Sequence, residues 1–139
     1  MSLAELALEI AEKAHAGQID KAGRPYIEHP KQVALAFEDE KKVAVALLHD
    51  VIEDTDFDAA TLHDMGIPYD VVEAVELLSK PKWEPYMDYI EPIKTNPLAR
   101  AVKVEDLKHN MDMSRIENPT DKDNKRTEKY KKAFEILSK

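Results

Sequence analysis

Residues 47–55 read LLHDVIEDT, a run that sets His49, Asp50, Glu53 and Asp54 into an otherwise apolar helical pattern. A buried carboxylate without a partner is costly or becomes neutral, so such a group calls for a counter-charge. Spacings of three and four place all four side chains over one quadrant of a helix. Two further residues suit the same chemistry: His29, closing the segment RPYIEHP, and Asp106, within VKVEDLKHN. Two imidazoles with two or three carboxylate oxygens make a mixed nitrogen and oxygen donor set, better matched to Mn, Fe or Mg than to structural zinc. The chain has no cysteine, which excludes thiolate ligands and disulfides. An unligated carboxylate beside such a site can take the proton of an attacking water. A second pair, His63 and Asp64 in TLHDMG, stands just before a helix stop and reads as ordinary surface.

Residues this far apart in sequence need a scaffold to converge, and the hydrophobic period is helical almost throughout. Leu3, Leu6, Ala7, Ile10, Ala11 and Ala14 share one face of a first helix, with Gly17 as its stop. The loop GQIDKAGRPYIEHP is punctuated by glycine and proline, so its polar side chains can turn inward together. Pro30 opens a helix facing inward through Val33, Ala34 and Phe37. KKVAVALLHDVIEDT reads as one central helix, apolar on most sides. Thr55 and Asp58 have the spacing of a capping box for a short helix ending at Gly66. Val71, Val72, Val75 and Leu78 line another, PKWEP breaks the pattern, and Trp83, Tyr86 and Tyr89 read as core or rim. Asn96-Pro97 caps a long helix, and Tyr130, Phe134 and Leu137 line the last. His15 reads as packing beneath the loop. The expected fold is all-α, one domain over 1–139, with about seven or eight helices.

Composition bounds the partners. At 139 residues, 43% hydrophobic and 35% charged, the chain reads as a globular domain with a substantial core. No apolar run reaches the ~20 residues of a membrane span, and the first residues lack the basic start of a signal peptide. The expectation is a cytoplasmic protein with no membrane partner. A net charge of −8 argues against a nucleic-acid polymer, yet leaves room for a small phosphate ester held by a metal and a few local cations.

The spaced pattern H…HD…D resembles the HD phosphohydrolase superfamily. AHAGQIDKAGRPYIEHP, LLHDVIEDT and VKVEDLKHNMDMSR are similar to motifs in the hydrolase domain of the Rel/SpoT alarmone enzymes and their small stand-alone relatives, over about residues 4–116. The resemblance implies a helical HD bundle and removal of the 3′-pyrophosphate from (p)ppGpp with Mn. It implies His29, His49, Asp50 and Asp106 as metal ligands, and Glu53 and Asp54 as the residues that position the attacking water and manage its proton. It implies nucleotide contacts from Lys21 and Asn110. Asp20 stands where the family usually carries a basic residue, and Glu105 and Leu107 flank Asp106 where alanine and a cation are usual. Lys21, Arg24, Lys80, Lys103 and Arg115 are the remaining cations available to a substrate. The alternatives are an HD hydrolase of another nucleotide or of a phosphorylated dinucleotide cofactor, and an HD module that senses a nucleotide without turning it over.

Overall fold

A computed structural model describes residues 1–20, 22–112 and 120–138. The described residues form nine helices and one isolated antiparallel bridge, between Ile19 and Pro25. The helices are α1 (Leu3–Ala14), α2 (Glu28–Ala34), α3 (Glu40–Leu48), α4 (Val51–Asp54), α5 (Ala59–Asp64), α6 (Tyr69–Leu77), α7 (Tyr86–Ile93), α8 (Pro97–Asn110) and α9 (Asp121–Ser138). The all-α expectation holds. Among the described residues no helix is long and apolar enough to cross a membrane.

The middle of the bundle is α3, whose residues Ala44 to Leu48 are all buried and which packs against α1, α2, α6 and α8. Beyond its charged first turn it is apolar on nearly every side and keeps no solvent face. Ser2 caps α1 through a bond from the Glu5 amide, and the Asn96 side chain accepts from the Ala99 amide ahead of Pro97 to start α8. The loop after α1 folds back on itself: the Tyr26 amide donates to the Gln18 carbonyl at 2.9 Å, and the Asp20 amide to the Arg24 carbonyl at 2.8 Å. Gly23 sits at φ 81°, a turn geometry that side chains disfavour.

The fold corrects three sequence expectations. The central helix is not continuous: α3 ends at Leu48, His49 and Asp50 form a turn, and α4 follows. The Ala46 carbonyl, which a continuous helix would offer to the Asp50 amide, instead accepts the His49 Nδ1–H at 2.5 Å. Asp50 rests at φ −102° and ψ −1°, out of regular helical geometry. This break adds a helix to the expected number. The cap of α5 is Asp58, which accepts from the Thr61 amide at 2.8 Å, while the Thr55 hydroxyl closes α4 on the Val51 carbonyl. Trp83 belongs to neither core nor rim; it is 80% exposed, because PKWEP leaves the helical register before α7 begins.

Candidate metal centre and cleft

The turn between α3 and α4 brings His49 and Asp50 to the point where α2 and α8 pass, and there four side chains converge. His29 Nε2 lies 2.7 Å from Asp106 Oδ1 and 3.9 Å from Asp50 Oδ2. His49 Nε2 lies 3.1 Å from Asp50 Oδ2 and 3.3 Å from Asp106 Oδ1. Donor atoms about 2.1 Å from a shared octahedral ion stand about 3 Å apart when adjacent and about 4 Å apart when opposite. The spacings therefore match a coordination shell. His29, His49 and Asp50 form a group able to hold a metal, with ligand atoms within 4.8 Å of one another. His49 Nε2 is buried without a hydrogen-bond partner, as a ligand nitrogen awaiting a cation would be. Its Nδ1–H is committed to the Ala46 carbonyl, so Nε2 is the nitrogen that faces the cluster.

Each potential ligand has a second partner. Tyr26 donates its hydroxyl to Asp50 Oδ2. Lys103 Nζ donates to Asp106 Oδ2 at 2.9 Å, and Asn110 Nδ2 to Asp106 Oδ1 at 3.1 Å. His29 Nδ1 meets His109 Nδ1. Burial would raise the Asp106 carboxyl, but Lys103 and His49 hold it well below the usual range. Burial likewise opposes the charge on His49, and Asp50 and Asp106 overcome it to push the imidazole up. Two carboxylates this close call for positive charge beside them, an electrostatic demand that a divalent cation would meet.

A cleft of about 630 Å³ opens over this floor, bordered by the loop, α4, the α6–α7 segment, α8 and α9. Glu53 and Asp54 line it. Glu53 Oε1 accepts the Lys80 amide at 2.6 Å, and burial raises its carboxyl above the ordinary range despite that bond. Burial also raises Asp54, with Asp50 adding to the effect. Asp20 reaches the same cleft, but its Oδ1 accepts the Ala22 amide at 2.8 Å and the Arg24 amide at 3.0 Å, so the carboxylate organises the loop.

All four expected ligands thus meet, and Glu53, Asp54 and Asn110 border the same space. Lys21 and Arg115 lie outside the described residues. Lys80 and Lys103 reach the cleft; Arg24 is not among its lining. His63 and Asp64 remain exposed on α5, and His15 is buried under the loop with Nδ1 2.9 Å from Gln18 Oε1. Sequence reasoning missed Arg126, Lys129 and Tyr130 of α9, which form the far wall. It also missed His109 and Tyr26. The signals were present: His109 lies three residues after Asp106, and Arg126, Lys129 and Tyr130 have helical spacing beside one another.

No family model matches the sequence. The chain is 30% identical, over 150 aligned positions, to the bifunctional (p)ppGpp synthase/hydrolase RelA of Mycobacterium tuberculosis, covering 99% of this chain and 20% of that protein. It is 34% identical over 119 positions to the bifunctional (p)ppGpp synthase/hydrolase SpoT of Escherichia coli, covering 73% of this chain and 16% of that one. The chain therefore spans about a fifth of the length of such relatives. Its fold matches the solved structure of a metazoan ortholog of SpoT that hydrolyzes ppGpp, with a TM-score of 0.78 and 23% identity, over 99% of this chain and 86% of that one.

Proposed function

We propose that this chain, which is of the Rel/SpoT hydrolase-domain type in sequence and fold, is a metal-dependent phosphohydrolase that releases 3′-pyrophosphate from (p)ppGpp. One observation carries the reading: the floor of histidines and carboxylates shares its cleft with a wall of gathered cations, in a chain of net charge −8. Burial lowers Lys129, and Lys80, Arg126 and Lys103 lower it further, so these groups stand close enough to repel one another. Lys129 Nζ rests 4.5 Å from the Tyr86 ring centre. Cations held against mutual repulsion at a cleft suit an anion with several phosphates.

His29, His49, Asp50 and Asp106 would hold the ion, and their mixed donor set favours Mn. A divalent ion bound there lends Lewis acidity to a phosphoryl oxygen and eases deprotonation of water. The chain's own groups do the rest. Glu53, with Oε1 fixed by the Lys80 amide, keeps Oε2 to accept the proton of the attacking water. Asp54 orients that water from the next position on α4. The water oxygen joins the pyrophosphate, the bond from phosphorus to the ribose 3′ oxygen breaks, and that oxygen takes up a proton. Lys80, Arg126 and Lys129 hold the phosphates away from the reacting centre, while Asn110, tied to Asp106, and Lys21 complete the nucleotide contacts. Residues 1–139 act as one catalytic unit in this reading, and a soluble nucleotide substrate fits a cytoplasmic setting.

The test is incubation of the Mn-loaded protein with ppGpp. Equimolar pyrophosphate and GDP, abolished by EDTA and restored by Mn, are expected. Folded, metal-loaded protein that releases no pyrophosphate would remove (p)ppGpp as substrate; phosphate release from other nucleotides would then identify the alternative.

A further inference from the structure

His49 and His29 are held in different ways. His49 is fixed by a backbone carbonyl that the fold of α3 supplies, whereas His29 is met at Nδ1 by another imidazole, that of His109, with 2.5 Å between the two Nδ1 atoms. The two rings meet edge to edge in nearly one plane, with centroids 4.8 Å apart and planes 15° from parallel. Two facing nitrogens at this distance must share one proton, because two lone pairs repel and so do two N–H groups. His29 Nε2 points at Asp106 Oδ1, into the cluster, so it can ligate a cation only when its proton sits on Nδ1. His109 must then present a bare Nδ1 and carry its own proton on Nε2.

We infer that His109 is a positioning residue: its Nδ1 accepts the His29 proton, sets the ligating tautomer of His29 and, lying in nearly the same plane, fixes the orientation of that ring. The inference rests on the metal reading of the cluster and adds to it a partner for one ligand. Structurally, α8 would serve the site twice, contributing Asp106 as ligand and, one turn later, His109 as holder of a ligand from α2. Partners of this kind usually are carboxylates or backbone carbonyls, which can only accept. An imidazole can also donate, so here the tautomers of two side chains must agree before the ion enters.

The experiment separates acceptor from packing with metal alone, before any nucleotide is added. His109→Phe keeps a planar ring at that position and removes the acceptor; His109→Gln keeps an acceptor and removes the ring. Mn affinity, read by titration of the free-ion EPR signal, is expected to fall about 10- to 100-fold in His109→Phe and to stay within about threefold of wild type in His109→Gln. Wild-type affinity in a folded His109→Phe overturns the inference, as does an equal loss in both variants, which would make packing the cause. Should His109→Phe fail to fold, the nitrogen-15 spectrum of the Mg-loaded wild type decides: a protonated His109 Nε2 with an unprotonated Nδ1 is expected, and the opposite tautomer overturns it. His29→Ala separates this failure from failure of the metal reading, since Mn affinity unchanged in that variant would show that the cluster is not the metal site.

Discussion

The floor and the far wall of the cleft are built by opposite means. On the floor every group is short and doubly held, and all but the half-buried Asp50 are buried: His49 is held by Ala46, His29 by His109, Asp50 by Tyr26, and Asp106 by Lys103. On the wall the groups are long side chains of α9, with Lys129 lying over the rings of Tyr86 and Tyr130 and Arg126 reaching back to Asp123 at 3.4 Å. Geometry that must be accurate within fractions of an ångström rests on fixed neighbours, and charge that need only be near rests on flexible cations. Under the proposed function, this contrast implies a division of labour in which the floor would set chemistry and the wall affinity.

That division predicts effects of graded size. The largest belongs to Asp106→Ala, which removes a ligand and also leaves Lys103 buried without its carboxylate. Mn binding and turnover should both disappear, as metal analysis and pyrophosphate release would show; wild-type Mn content would remove Asp106 from the shell. Its control is His63→Ala with Asp64→Ala on α5, which should retain full activity. Glu53→Gln comes next. The amide keeps the bond from the Lys80 amide but cannot take a proton, so Mn content should hold while kcat falls about 10²- to 10⁴-fold. Because burial raises Glu53, the wild type should lose kcat as pH falls through that raised value, and the variant should lack this acid limb. Unchanged kcat would exclude Glu53 as the base.

Arg126→Ala with Lys129→Ala should act on the wall alone. KM for ppGpp is expected to rise roughly 10-fold with kcat nearly unchanged and a weaker dependence on salt. A loss confined to kcat would place these cations at the reacting phosphorus and blur the division. The smallest effect is expected from Asp20→Asn. It removes a charge from the cleft while its side-chain oxygen still accepts the Ala22 and Arg24 amides, so KM should drop about twofold. Asp20→Arg adds a cation but deletes both of those bonds, so a KM higher than in Asp20→Asn would show that the loop, rather than charge, governs this edge.

Most of the floor was legible in the sequence because its residues stand out against apolar surroundings. His49 and Asp50 interrupt a run that is otherwise buried, and His29 and Asp106 supply the missing donors. Its means of support was less legible. The break between α3 and α4 arises from a side chain competing with the backbone for the Ala46 carbonyl, a contest that residue periodicity does not register. The role of His109 was hidden for a related reason, since its partner lies 80 residues away. On the wall, Arg126 and Lys129 sit in a helix rich in charge, where spacing alone cannot tell a cation at a cleft from one in solvent.

The central claim, that the turn after α3 completes a metal centre at the base of the cleft, is tested most directly by anomalous diffraction from crystals soaked in Mn. One strong peak is expected, bounded by His29 Nε2, His49 Nε2, Asp50 Oδ2 and Asp106 Oδ1. A peak at Glu53 and Asp54 alone, a peak at His63 and Asp64, or none at saturating Mn would contradict it.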